Sequence, residues 1–243
     1  MFQWFKYLSY VLCAALAAAP LYPVAVSAAP GALPSNCVGC DLANANLQGR
    51  DLRNVSWVGV DLNGADLRNA DLRGAHLVGA DLKHVRLTGA RIGGAKLVGA
   101  DISDSELPGM NFSNTGLVGA DFKHSNLEGS SFAGDKLIGA DFDHAMLRNA
   151  NFSGTVLCVR GDDGRIGCSQ FNGADLRGAD FHGAQLCESN TITVRSDDDR
   201  TSTFTRTNDG DERGEHDFAN CRPLDAGMLR SEGHADLSGA RGI

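Results

Sequence analysis

Aromatic residues make up only 7% of this 243-residue chain, and two of them are tryptophan. That scarcity excludes a conventional core built around large rings. Basic residues are outnumbered, with 22 Lys and Arg against 30 Asp and Glu and a formal charge of -8. The balance argues against nucleic acid as a direct ligand, because phosphate binding relies on Lys and Arg replacing counterions. The motifs of common catalytic sites are missing too: there is no Gly-rich phosphate loop, no nucleophile elbow, and no Ser, His and Asp set marked by its context. The chain does not read as an enzyme, and nothing in it calls for a cofactor.

A membrane-spanning run is also lacking. The apolar stretch from Leu8 to Ala19 is followed by Pro20 and Pro23, and it falls short of the ~20 apolar residues that cross a bilayer. With Lys6 ahead of it and Val26-Ser27-Ala28 behind, the stretch has the three parts of a secretory signal, and cleavage is expected after Ala28. Cys13 follows Leu12 rather than a small residue, which disfavours lipid attachment. Cleavage removes Lys6 and takes the formal charge from -8 to -9. It leaves no membrane span and sends the mature protein to the periplasm or the medium.

What the chain does have is glycine, 30 residues of it, and a strict period. A large apolar residue stands at every fifth position from Leu42, Leu47, Leu52 and Trp57 to Phe152 and Leu157, twenty-four in succession. Two places before each lies a small residue, most often Ala, as in Ala65-Asp66-Leu67-Arg68-Asn69. Five matches neither the helical period of 3.6 nor the strand period of 2, so each unit must be a short side and a corner. A stronger period of twenty overlies it. Val38-Gly39-Cys40-Asp41-Leu42 returns as Val58-Gly59-Val60-Asp61-Leu62 and continues to Ile138-Gly139-Ala140-Asp141-Phe142.

The unit of Ala, Asp or Asn, Leu and two variable residues resembles the pentapeptide-repeat family, over Cys40 to Leu157 and Ser169 to Leu186 and more faintly over Ala235 to Ala240. The resemblance implies an all-β fold, a right-handed quadrilateral β-helix with four sides per coil and with both the large and the small residue pointing inward. The period of twenty agrees with four sides. From Phe112 onward Phe and Leu alternate, which puts Phe on two opposite sides. The frame breaks after Leu157 and resumes in phase at Phe171, Leu176, Phe181 and Leu186, as if one corner carried nine extra residues. About seven coils are expected, a rod of about 35 Å at ~4.8 Å per coil. The chain then divides into a signal (1–28), a linker (29–36), the solenoid (37–186) with an excursion at 158–168, an acidic excursion (187–221) with a hairpin pattern, and a C-terminal coil remnant or cap (222–243).

Six cysteines lie beyond the signal, an even number that in an oxidising compartment points to disulfides. Cys158 and Cys168 bracket the first excursion, whose Gly161-Asp162-Asp163-Gly164 resembles a hairpin turn, and Cys187 and Cys221 bracket the second. Local pairing would pin each excursion where it leaves and returns. Cys37 and Cys40 flank the first corner at inward places, and a β-turn holds such ends within ~7 Å. They read as a cap on the array. A redox or zinc role lacks the flanking thioredoxin-like pattern or a second cysteine pair of zinc-ribbon spacing.

Stacking by twenty aligns the outward side chains in columns. Val58, Val78, Val98, Val118 and Ile138 form an apolar ridge next to the Gly that a type II turn requires at its third place. The ridge either stiffens the stacked corners or forms a contact surface, for an unidentified protein partner or a homodimer. Asp41, Asp61, Asp81, Asp101, Asp121 and Asp141 make a second column, expected to be held by nearby backbone. His84, Asp104, His124 and His144 make a third. It is a metal candidate because His124 and His144 fall on adjacent coils, although solvated surface histidines explain it as well. In the acidic excursion, Asp197-Asp198-Asp199 and Asn208-Asp209-Gly210-Asp211-Glu212 offer oxygens without EF-hand spacing, and 191–195 and 201–205 alternate like a hairpin. The chain as a whole reads as an extracytoplasmic scaffold or interaction module. The family resemblance also implies an alternative, a DNA mimic that engages DNA gyrase. The rod shape and negative charge fit it, and the signal does not.

Overall fold

The computed structural model describes residues 33–161, 166–189, 191–195, 201–205, 218–224, 227, 230 and 236–242. The signal, residues 29–32 of the linker, the first hairpin tip at 162–165 and the charged stretches 196–200 and 206–217 lie outside the described residues.

Each pentapeptide forms a bridge-forming side and a turn. At Leu77-Val78-Gly79-Ala80 the Ala80 N–H donates to the Leu77 carbonyl at 3.1 Å, and Gly79 has φ of 63°. That backbone is the left-handed region that glycine enters without steric cost. The sides of successive coils pair in parallel in steps of twenty, as Asp61 with Asp81, Asp66 with Arg86, Asp71 with Arg91 and His76 with Lys96. Four bridges per step make four sides. Both main-chain groups are used: the Leu62 N–H donates to Asp81 O at 2.7 Å and the Asp81 N–H to Val60 O at 2.9 Å. A coil therefore leaves few backbone groups unpaired once it has a neighbour.

The inward residues fill the tube. The first side buries Leu62, Leu82, Ile102, Phe122 and Phe142, the second Leu67, Leu87, Leu107, Leu127 and Leu147, the third Leu72, Ile92, Phe112, Phe132 and Phe152, and the fourth Trp57, Leu77, Leu97, Leu117 and Leu137. On the third side Phe112, Phe132, Phe152 and Phe181 stack with centroids 4.9, 5.0 and 4.9 Å apart. Opposite them Phe122, Phe142 and Phe171 stack at 5.1 Å. The two stacks meet edge to face across the axis, as Phe112 does with Phe122 at 5.4 Å. Both arrangements suit the ring quadrupole, and the coil rise sets the stacking distance.

The N-terminal end is closed by β1 (Asn36–Val38), which pairs in parallel with β2 (Ser56–Val58). The Trp57 indole N–H donates to Pro34 O at 2.8 Å, which gives this buried ring its polar partner. After Leu157 the step changes. Asp141 pairs with Gln170, Met146 with Asp175 and Asn151 with Asp180, each twenty-nine residues on, so the core phase survives the insertion. The inserted residues form an antiparallel pair, β3 (Val156–Arg160) with β4 (Ile166–Cys168). β3 also pairs in parallel with β5 (Gln185–Ser189). β6 (Thr191–Arg195) and β7 (Thr201–Thr205) form an antiparallel pair of their own. β8 (Phe218–Pro223) returns antiparallel to β5, giving a four-stranded sheet in the order β4-β3-β5-β8. The two excursions are thus neighbours in one sheet that extends the fourth side. The chain then comes back onto the last full coil: Arg241 pairs with Asp180, the Phe181 N–H donates to Arg241 O at 2.9 Å, and Leu237 is buried.

Candidate interaction surface

The fourth side carries the valine ridge along one edge. Its main chain is fixed, because the carbonyl of each ridge residue accepts the glycine N–H of the preceding coil, as Gly79 donates to Val98 and Gly99 to Val118, both at 2.9 Å. Val58 is 39% exposed, whereas Val78, Val98, Val118 and Ile138 are half-buried by their neighbours in the stack. The most exposed member is Val38 at 70%, on the capping strand. The place after the large inward residue, Val or Ile in these coils, becomes Cys158 after Leu157 and Cys187 after Leu186. Both cysteines are buried. The ridge therefore ends at the two disulfides that hold the sheet.

Cys158 bonds Cys168 with Cα atoms 4.1 Å apart, and Cys187 bonds Cys221 at 4.0 Å. The first closes the β3–β4 pair at its base, where Cys158 and Cys168 are register partners. The second ties the strands that flank the acidic excursion. Cys37 bonds Cys40 across the first corner, with Cα atoms 6.0 Å apart, and both are buried at the array's end.

On the first side every column aspartate accepts the N–H two residues on: Asp41 from Ala43 at 3.1 Å, Asp61 from Asn63 at 3.0 Å, Asp81 from Lys83 at 3.1 Å, Asp101 from Ser103 at 3.1 Å, Asp121 from Lys123 at 2.9 Å and Asp141 from Asp143 at 3.0 Å. The side chain anchors the turn that follows it. Lysines offset the stacked negative charge. Lys83 lies 3.8 Å from Asp81 and 3.0 Å from Asp101, and Lys123 lies 3.4 Å from Asp121 and 2.8 Å from Asp141. Around the corner, Arg53, Arg68 and Arg73 each grip the aspartate two places before them, Asp51, Asp66 and Asp71. Hydrogen bonds from Arg53 and Arg73 hold the Asp51 and Asp71 carboxyls down at about 2.

His84, Asp104, His124 and His144 occupy the third place of their turns, with φ of 53°, 55°, 57° and 59°, where most units have Gly or Asn. Asn, Asp and His are the non-glycine types enriched in this conformation, so the column has a backbone cause. His84 Nδ1 is 3.2 Å from Asp104 O. The His124 and His144 rings stack in parallel, centroids 5.2 Å apart and 2° between planes. Parallel rings aim their nitrogens within separate planes and not at a common point. Among the described residues no group of three His, Cys, Asp or Glu side chains is arranged to hold a metal ion, and no helix is long and apolar enough to cross a membrane.

One small inward place on the fourth side is filled by an acid. Asp135 stands two places before Leu137, in the small inward position that Ala fills in most units, and it is 3% exposed. Its Oδ1 accepts the Thr115 N–H at 3.2 Å, while Oδ2 has no hydrogen-bond partner. Burial pushes the carboxyl up to about 8.

Every coil thus repeats one backbone, four sides and a fixed set of outward columns, the definition of a right-handed quadrilateral β-solenoid. The chain belongs to the pentapeptide-repeat family: the family model, described as pentapeptide repeats, matches in 8 copies over residues 40–77, 65–104, 95–134, 132–158 and 167–190. Similar solved structures include trypsin-treated QnrB1, a plasmid-mediated fluoroquinolone resistance protein, at 23% identity and TM-score 0.31 over 61% of this chain and 68% of that one. HetL, a pentapeptide repeat protein involved in heterocyst differentiation regulation from the cyanobacterium Nostoc sp. strain PCC 7120, is 25% identical with TM-score 0.25 over 61% and 77%. A pentapeptide repeat protein of the Arabidopsis thaliana thylakoid lumen is 20% identical with TM-score 0.16 over 70% and 77%. No curated protein matches.

Proposed function

We propose that the protein is a non-enzymatic scaffold that works outside the cytoplasm, in the periplasm or the medium, and holds a protein partner along its fourth side. The observation that carries this reading is continuity. An apolar ridge runs coil after coil from Val58 to Ile138 and meets a four-stranded sheet held by two disulfides. Such a wall is flat, repetitive and rigid, which suits docking of an extended surface at low ordering cost. The extracytoplasmic site is supported by the three-part segment around Leu8 to Ala19 and by three disulfides, which persist in oxidising compartments.

The test is a pulldown from a periplasmic extract with the mature chain, a version lacking residues 188–220, and a Val98→Thr, Val118→Thr double variant. Loss of the same captured protein in the valine variant supports the ridge, and loss only in the deletion moves the contact to the acidic excursion. An unchanged catch in both overturns the fourth-side reading. Light scattering on the parent separates a homodimer from a monomer that binds something else. N-terminal sequencing from fractionated cells is expected to find a start near Ala29 in the periplasm. Full-length cytoplasmic protein would overturn the location and turn attention to a cytoplasmic partner such as gyrase.

A further inference from the structure

Asp135 has no place in the docking surface. The small inward positions of the fourth side hold Ala75 and Ala95, then Thr115, Asp135 and Thr155, then Ala184, all buried. The two threonines are satisfied within their own coils, since their hydroxyls donate to Phe112 O and Phe152 O. An ionised carboxylate has no proton to give and can only accept. Asp135 Oδ1 accepts the Thr115 N–H, the Asn114 main chain also favours the charged form, and Oδ2 has no hydrogen-bond partner.

Among the described residues no charge compensates it. The coil before presents Thr115, the coil after Thr155, and its own coil Phe132 and Leu137, none of them ionisable. The neighbouring cation, Lys136, takes the outward place of the same unit, and among the described residues no coulombic partner acts on the carboxyl. The Asp135 main chain, meanwhile, roots the sheet: its carbonyl accepts the Val156 N–H at 2.9 Å, the first residue of β3.

We propose that Asp135 is a pH-sensitive element of the fold, which makes the solenoid firmer in acid and loosens it toward alkali at the root of β3. Unfolded, the carboxyl ionises near its ordinary value of about 3.9; folded, it keeps its proton to about 8. Between those limits the folded chain holds the extra proton. Stability therefore falls as pH rises, by up to about tenfold in the folding constant per pH unit, and the dependence ends above the upper limit.

Urea unfolding of the disulfide-intact protein from pH 5 to pH 8 tests the idea, comparing the parent with Asp135→Ala and Asp135→Asn. Alanine is the residue that fills this place at Ala75 and Ala95, and asparagine keeps the shape without ionising. The parent is expected to lose stability across the window, while both variants lose that slope and Asp135→Ala is the more stable at pH 8. Every other ionisable group is common to all three proteins and cancels in the comparison. Parallel pH profiles would overturn the proposal. Independently of any variant, the Asp135 carboxyl carbon followed by NMR in the parent is expected to titrate near pH 8, and a step near pH 4 would overturn it.

Discussion

Between Leu42 and Leu107 the tube is filled by Leu, Ile and one Trp, with Val55, Val60 and Val85 at some of the small places. From Phe112 to Leu186 rings fill two opposite sides, and Ser125, Ser130, Thr115, Asp135 and Ser169 take small places. The backbone is the same in both regions, with coils stacked in the same parallel register. A fixed tube width makes the large places hold Leu, Ile or a ring in either region, close-packed against the small places beside them. The polar small residues also bond across coils. Ser125 Oγ accepts the Ser105 N–H at 3.1 Å and donates to Ile102 O at 2.9 Å. Outside, the two regions are alike: Asp–Arg pairs occur in both, as Arg53 with Asp51 and Arg177 with Asp175, and so do lysine bridges, at Lys83 and Lys123. Rings and buried hydroxyls order the C-terminal half, while aliphatic packing orders the N-terminal half.

The largest test of that contrast is Phe132→Ala. Phe132 touches Phe112, Phe122, Phe142 and Phe152, and its loss is expected to cost about 3–5 kcal/mol in urea unfolding. Leu72→Ala on the same side should cost less, within the range of about 2–5 kcal/mol for such changes. Equal losses would mean that the halves do not differ in packing.

Ser125→Ala gives a smaller effect, about 1 kcal/mol, because it removes the acceptor of the Ser105 N–H. In the early coils Ala65 fills the same place and its own N–H bonds Leu62 O at 2.9 Å. An unchanged unfolding midpoint would show that the aromatic half does not need its hydroxyls.

Acid titration gives the smallest effect. Asp51 and Asp71 ionise at about 2 in the fold, below the ordinary value of about 3.9. The stability from these pairs is present above the ordinary value and is lost as pH falls through the lower one. Both lie on the open surface, so Asp51→Asn with Asp71→Asn is expected to move the acid unfolding midpoint only slightly at low salt, and not at all at high salt. A large shift would give the early coils an electrostatic dependence that the aliphatic core does not predict.

The architecture was legible in the sequence because the repeat is a local pattern of size: large, small and turn residues recur in order, and neighbouring coils lie a constant twenty residues apart. The bracketing cysteines were legible for the same reason, each pair being close in sequence to the corner it closes. The backbone cause of the His column was less visible. His84, His124 and His144 stand where most units carry Gly or Asn, a signal that a unit-by-unit comparison contains but a search for metal ligands passes over.

The chain by itself determined the coil, the inward register and the phase kept across the insertion, since each follows from residues within one or two units. Tertiary structure alone decided three things. β3 and β5 lie side by side and make one sheet of two excursions. Arg241 returns to Asp180 from sixty-one residues away. And the Asp135 carboxyl meets two threonines whose hydroxyls are already spent. Each depends on groups brought together from distant parts of the chain, where the partner's orientation, and not its identity, sets the energy.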